Sequence, residues 1–288
     1  MVECGESPQI KVFHHVAREE TSEALDALET LLKMTETLRH EPILITCLVM
    51  VACDSLAISA LEELITHESL SENDLKRFGG LMSKQRYDEI LERAIAGERC
   101  LLTEAIGQPH SSIFSQDTHR ILLVLLRSSG YLDVEQMVYL DLMSEYMEAF
   151  EQPPIQRRIT FAGGDNKVAD LPFYHAVIRS VFPGLGKAVD IDLRARARLD
   201  LARMALHVEQ YRIKEGRLPD HLADLTEDYM ETVPVDPFDD TPIKYRKLEK
   251  GYVIYSVGSD GKDDEGMELD SEGKPLADGT DIPFAVRR

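Results

Sequence analysis

Between Asp260 and Asp281 the chain carries nine acidic side chains: Asp260, Asp263, Asp264, Glu265, Glu268, Asp270, Glu272, Asp278 and Asp281. Only Lys262 and Lys274 oppose them. Carboxylates crowded in this way repel one another unless a cation or water separates them. Calcium suits such a loop, because it takes six to eight oxygen ligands from carboxylates and carbonyls with tolerant geometry. Gly258 and Gly261 allow the turns that point carbonyls inward. The spacing is not that of an EF-hand: Lys262 stands at the third place, where an oxygen donor is needed, and Glu265 at the sixth, where the glycine would be. The competing reading is a solvated acidic loop that binds nothing specific.

Other chemistry-bearing residues are sparser. His14-His15 with Glu19-Glu20 is a possible metal group, more simply an exposed terminal stretch. Asp117 and His119 suggest a pair, but Asp117 at a helix start is already explained by the helix dipole. Asp54 falls inside an apolar stripe, so it needs a partner or a raised pKa. Arg39, Arg93 and Arg99 are the candidate partners, with a functional carboxylate as the alternative. Ser55 and Ser59 have no histidine at a telling distance. The chain has no G-x-S-x-G, phosphate-binding loop, dinucleotide glycine run or H-E-x-x-H. Gly184-Leu185-Gly186 is a turn signal. Cys4, Cys47, Cys53 and Cys100 include no C-x-x-C pair, so a zinc site on them is not expected.

Composition narrows the function classes. The chain has 288 residues and 43 % hydrophobic content, enough for one large domain or two ordinary ones. Its 52 acidic residues outnumber 32 basic ones for a formal charge of −20. That surface repels nucleic acid and anionic lipid and favours cations, basic partners or plain solubility. The longest apolar stretch, Pro42 to Cys53, is too short to span a bilayer and reads as a buried helix. The start, MVECGESPQIKVFHH, lacks the pattern of a signal peptide.

The elements that must position these residues are mostly helical. Helices are expected from Thr21 or Ser22 through Leu38 and from Pro42 onward. In the second, Cys47, Met50, Asp54, Ala57, Leu61 and Leu64 form one stripe. Ser71 with Asp74 makes a capping box for a short helix through Leu75 and Phe78. Further helices are expected over Ser83–Ile106, Gln116–Arg127 and Val134–Phe150. Pro153-Pro154 and Gly163-Gly164-Asp165-Asn166 mark residues 153–170 as a linker. A long helix follows from Leu185 to Lys214, ending at Gly216 with Pro219 beyond it. Arg194, Arg196, Arg198 and Arg203 lie on it, either packing over apolar stems or docking the acidic loop or the helical region. Ile243–Arg246 and Tyr252–Ser256 read as a hairpin, and everything from Gly258 onward as loop.

The pieces of the C-terminal third come in a specific order. Tyr211 closes the long helix, then Gly216 to Pro219, Asp236-Pro237-Phe238, Tyr245, Tyr255 to Gly261, and Asp281-Ile282. From about Leu193 to Phe284 this order resembles the globular domain of the major pseudopilin of type II secretion. The whole chain also resembles large planctomycete-type envelope proteins that place a helical region before such a module. The first resemblance implies an α+β module of a long helix, a small antiparallel sheet and a loop that wraps one calcium. Carried over, Asp260 and Asp281 become the side-chain ligands and the Val257 carbonyl the backbone ligand, with Asp263 and Asp264 as second choices. The loop is longer than the family's, and the chain lacks the processed apolar N-terminus of a filament subunit. Filament assembly is therefore not implied.

The resulting expectation is a mostly α protein: a helical bundle over 1–152, a connecting segment over 153–184 and the pseudopilin-like module over 185–288. It would be a non-enzymatic envelope protein with a calcium-stabilised module, linked to secretion or surface assembly through a protein partner. Two alternatives stand beside it: a helical scaffold for a protein partner with a purely structural module, and an enzyme using a helix-borne carboxylate such as Asp54. The resemblance implies an extracytoplasmic or periplasmic location, with an anchor upstream of Met1. The absence of a signal in this chain implies the cytoplasm. Neither nucleic acid nor direct membrane contact is expected.

Overall fold

The computed structural model describes residues 21–67, 70–84, 87, 89–107, 126, 128–182, 185–226, 228–267 and 280–288. The described elements are α1 (Thr21–Leu38), α2 (Leu44–His67), α3 (Glu72–Lys84), α4 (Ile90–Gly107), α5 (Tyr131–Ala149), α6 (Pro154–Asp170), α7 (Ala176–Val181) and α8 (Leu185–Glu215). A 3-10 turn at Leu222–Leu225 follows, then β1 (Lys244–Leu248), β2 (Gly251–Ser256) and β3 (Ile282–Arg287). The protein is mostly α with one small antiparallel sheet of order β1-β2-β3. The expected helix over 116–127 lies, apart from Leu126, outside the described residues.

Local chemistry explains most of these elements. The stripe on α2 is buried throughout, from Cys47 and Met50 through Asp54 and Ala57 to Leu61 and Leu64. Ser71 and Asp74 exchange backbone and side-chain hydrogen bonds at 3.2 Å and start α3 as a capping box does. Gly216, at φ 71°, ends α8 and donates its N–H to the Arg212 carbonyl at 2.9 Å. β1 and β2 form a hairpin in which Leu248 faces Gly251.

Three expectations are corrected. Residues 153–170 are not a linker: Pro154 takes the first turn of α6, where its missing N–H costs nothing. Gly163 and Gly164 lie inside this helix, and Gly164 is there for packing. A Cβ on it would stand 2.2 Å from the hydroxyl of Tyr146. That ring is fully buried and stacked at 4.0 Å on Phe161. Secondly, α4 begins at Ile90, not Ser83. Thirdly, the tail is not all loop, because Ile282–Arg287 pairs with β2 as β3. Pro283 is tolerated there because β3 is an edge strand and its missing N–H breaks no ladder.

The chain divides into two compact units, and they are not the expected 1–152 and 185–288. The first comprises Met1–Arg39, Val49–Tyr87 and Ile191–Arg288. The second comprises His40–Leu48 and Asp88–Asp190. The first unit joins the sheet to helices from both ends of the chain. Glu62 accepts the Ala285 N–H at 2.6 Å, and Arg288 donates to the Ile65 carbonyl at 3.1 Å and to Glu209 at 2.8 Å. Arg203 reaches the Met82 carbonyl at 2.8 Å, and Arg196 the Tyr87 carbonyl at 2.8 Å. The helices of residues 21–38 and 49–84 and the C-terminal module thus fold as one body.

In the second unit α5 packs on α4, α6 and α7. Tyr139 donates to the Glu98 carbonyl at 3.1 Å, and the Leu44 N–H donates to the Glu98 side chain at 3.1 Å. Gly97 permits a close crossing, since a Cβ there would lie 1.7 Å from the Pro42 carbonyl oxygen. Two adjacent glycines therefore make opposite predictions in urea denaturation. Gly164→Ala should cost about 1–3 kcal/mol by forcing the Tyr146 ring. Gly163→Ala, whose Cβ meets nothing within 4 Å, should be neutral or gain up to about 1 kcal/mol from helix propensity.

Candidate functional site

The acidic loop begins where Asp236 anchors the end of β2. This buried carboxylate accepts from the Ser256 hydroxyl at 2.9 Å, the Val257 N–H at 2.8 Å and the Phe238 N–H at 2.9 Å. Burial raises its pKa, and these three donors work against that rise. The expected Asp-Pro-Phe piece is thus a clamp on the first residue of the loop. Gly258, Gly261 and Gly266 all take positive φ, at 65°, 68° and 68°. Glycine takes such angles without steric cost, which lets the chain fold back on itself. Arg194 donates to Ser259 at 3.0 Å, so one arginine of α8 does dock the start of this loop.

The candidate ligands fall into two groups. Asp281 is buried, and its Oδ2 accepts the Asp264 N–H at 3.0 Å and the Gly266 N–H at 2.7 Å. Its Oδ1 has no hydrogen-bond partner among the described residues. Burial raises the Asp281 pKa; the two N–H donors counter this, and the charges of Asp263 and Asp264 add to it. Asp263 is held differently. Burial opposes its ionisation, but Lys244 at 3.0 Å, the Glu265 N–H at 3.0 Å and the Tyr255 hydroxyl at 3.1 Å bring its pKa down overall. Asp263, Asp264 and Asp281 are therefore close enough to act on one another.

Asp260 stands apart from them. It is exposed and accepts the Lys262 N–H at 3.0 Å within its own turn. No hydrogen bond among the described residues ties it to Asp281. Val257 is buried, with its N–H given to Asp236. Among the described residues no group of three or more His, Cys, Asp or Glu side chains is arranged to hold a metal ion. Glu268, Asp270, Glu272 and Asp278 lie outside the described residues, as do His14, His15, Glu19, Glu20, Asp117 and His119. The fit to calcium thus rests on one orphaned, buried carboxylate oxygen and two neighbouring carboxylates.

Asp54 is 2 % exposed. Its direct partner is the Tyr87 hydroxyl at 2.6 Å, a residue that the expected choice among Arg39, Arg93 and Arg99 missed. Burial raises the Asp54 pKa; Tyr87, Thr35 and the charge of Arg39 oppose the rise without cancelling it. Arg93 instead meets Glu89 at 3.4 Å and Arg99 meets Ser144 at 3.3 Å. Tyr87 lies outside any helix, about thirty residues on, so no periodicity pointed to it.

A second buried carboxylate went unnoticed in the sequence. Glu135 is fully buried, with Oε1 3.0 Å from His175 Nδ1 and Oε2 accepting the Ile178 N–H at 3.1 Å. It ties down the first turn of α7. Cys47 is buried as expected, and Cys100 is exposed.

The fold and the loop together define an α-rich protein with a small sheet that closes on an acidic, carboxylate-clasped loop. No family model matches the chain, and no curated protein or solved structure matches it either.

Asp54 gives a pH-dependent prediction. Its folded pKa is raised, so the folded state takes up the proton before the unfolded chain does. From this group, stability should rise as pH falls from the raised value toward the unfolded value of about 3.9. Asp54→Asn removes the buried charge and should stabilise the protein at pH 7 by about 1 kcal/mol. That gain should shrink toward zero below pH ~4, as read by urea denaturation at the two pH values.

Proposed function

We propose that this is a non-enzymatic envelope protein whose pseudopilin-like C-terminal module is held closed by a calcium ion, in a role linked to secretion or surface assembly through a protein partner. One observation carries the calcium reading: the Asp281 carboxylate is buried, clasps the loop by two backbone N–H groups and keeps its Oδ1 without a partner among the described residues. Asp281 with Asp263 and Asp264 are the side chains that would hold the ion, with Asp260 and the Val257 carbonyl as the further candidates from the resemblance. Bound calcium would offset the mutual repulsion of these carboxylates. It would stabilise the folded state by mass action. The order of α8, the 3-10 turn, the Asp236 clamp, the three strands and the returning loop supports the likeness to the pseudopilin module. The extracytoplasmic location belongs to the same reading, because calcium is abundant there.

A second reading is favoured by a different observation. The module folds as one body with the helices of residues 21–38 and 49–84. A module built into a helical scaffold in this way can be purely structural, with the helical surface binding the protein partner. Calcium decides between the two. In the first reading, the melting temperature of the full chain in millimolar calcium should exceed that in chelator by about 2–6 °C. Asp281→Asn should abolish that response without lowering the melting temperature in chelator, since an amide oxygen can still accept both N–H groups. Equal melting in calcium and chelator would overturn the calcium reading. So would a response that survives Asp281→Asn.

A further inference from the structure

The acidic loop already faces a cation, and that cation belongs to the chain. β1 is an edge strand, and three of its five residues are basic in a chain of net charge −20. Alternation along the strand puts Lys244 and Arg246 on one face and Lys247 on the other. Lys247 pairs with Asp220 at 2.5 Å. The other two reach the loop: Arg246 donates to the Glu265 carbonyl at 2.8 Å, and the Lys244 ammonium stands 3.0 Å from Oδ2 of Asp263. Across the hairpin they are paired with Val253 and Tyr255. The loop lies against these same residues, since a Cβ on Gly266 would stand 2.8 Å from the Tyr255 ring and 3.0 Å from the Val253 side chain.

Asp263 is thereby supplied with donors on both oxygens. Its Oδ1 accepts the Tyr255 hydroxyl at 3.1 Å and the Glu265 N–H at 3.0 Å, and its Oδ2 faces Lys244. A carboxylate offers about four acceptor positions, so most of them are taken. Asp281 is the opposite case, buried with its Oδ1 unpartnered among the described residues. The charge of Asp263 acts on Asp281. Both also act on Lys244, as does Asp239. The hydrogen bond with Asp263 is the largest of these influences, and it favours the ammonium form against the cost of partial burial. Lys244 thus sits in the field of the carboxylates that would hold a calcium ion. The alternative is an ordinary surface ion pair of two partly exposed side chains, which contributes little. Such a pair would leave the calcium affinity of the loop as it was.

We propose that Lys244 is the resident cation of this loop and competes with calcium for Asp263. The inference rests on the calcium reading of the same carboxylates. Calcium takes carboxylate oxygens directly, so Asp263 can join the ion only as the ammonium withdraws. Lysine suits this role, because its charge is compact and its four-carbon stem is flexible. The tethered ammonium lowers calcium affinity in two ways, by holding Asp263 and by repelling the ion. Without calcium it offsets the repulsion among the carboxylates and keeps the loop on the sheet. The loop therefore exchanges one cation for another, and the site fills only where calcium is abundant.

The test is isothermal titration of the full chain with calcium chloride at constant ionic strength, beside melting in chelator. Wild type should bind calcium at one saturable site, and Lys244→Met about tenfold more tightly. Lys244→Arg keeps the charge and should bind no more tightly than wild type. In chelator, Lys244→Met should melt about 1–3 °C below wild type, and millimolar calcium should remove that deficit. Equal calcium affinity in wild type and Lys244→Met overturns the inference and leaves the calcium reading intact. So does an equal gain in Lys244→Arg, because charge would not be its cause. Binding by Lys244→Met alone would uphold the competition and overturn the calcium reading of the natural chain. No binding by either protein overturns both. Lys244 is partly exposed on an edge strand and methionine keeps its aliphatic stem, so the variant retains the fold.

Discussion

Backbone N–H groups that leave a helix or strand must find an acceptor, and in this protein carboxylates supply it repeatedly. Asp236 takes the N–H groups of Phe238 and Val257 where β2 gives way to the acidic loop. Asp281 takes those of Asp264 and Gly266 where the loop folds back. Glu62 takes that of Ala285 on the exposed edge of β3. Glu135 takes that of Ile178 in the first turn of α7, and Glu98 that of Leu44 at the first residue of α2. Asp224 takes two at the entrance to the 3-10 turn. An orphaned buried donor costs about as much as a lost hydrogen bond, so each junction has a definite stability at stake. Part of the −20 charge is therefore structural rather than a device for solubility alone.

This use of carboxylates also explains what was legible in the sequence. Where acceptor and donor are three or four residues apart, the pattern is local and can be read, as at Ser71 and Asp74. The stripe on α2 and the end of α8 at Gly216 were legible for the same reason, because periodicity and a positive φ are properties of a short window. Glu135 with Ile178, and Glu62 with Ala285, are separated by whole elements. Nothing in a local window announces them. The Tyr87 partner of Asp54 was hidden in the same way, although Arg39, one of the expected arginines, does act on Asp54 through its charge.

Two misreadings came from residues whose local meaning was overridden by packing. Gly163-Gly164 signals a turn in isolation. Inside α6 the second glycine makes room for the ring of Tyr146, and the helix tolerates both. The tail read as loop from Gly258 onward holds β3 instead, and Pro283 fits there because the outer side of that strand carries no ladder. The division of the chain was misread for a larger reason. Helices at residues 21–38 and 49–84 were assigned to a separate bundle by sequence proximity. The first unit instead uses them as partners for α8 and the sheet, through contacts that span up to 223 residues, such as Ala285 to Glu62.

The buried carboxylates differ in how completely they are satisfied, and that difference separates structural groups from a candidate site. Asp236 has donors on both oxygens, so its negative charge is dispersed into the backbone and asks for nothing more. Glu209 faces two guanidinium groups, from Arg212 and Arg288, both at Oε2, and its Oε1 is as unpartnered among the described residues as the Oδ1 of Asp281. Asp54 keeps one oxygen unpartnered, but it lies among apolar residues with Tyr87 and Arg39 close by, where protonation is the easier relief. Asp281 combines an unpartnered oxygen with two further carboxylates and a loop held by backbone donors alone on its other oxygen. Asp281 thus differs from Asp236 and Asp54 in standing within reach of two further carboxylates, Asp263 and Asp264, whose charges add to the burial that raises its pKa.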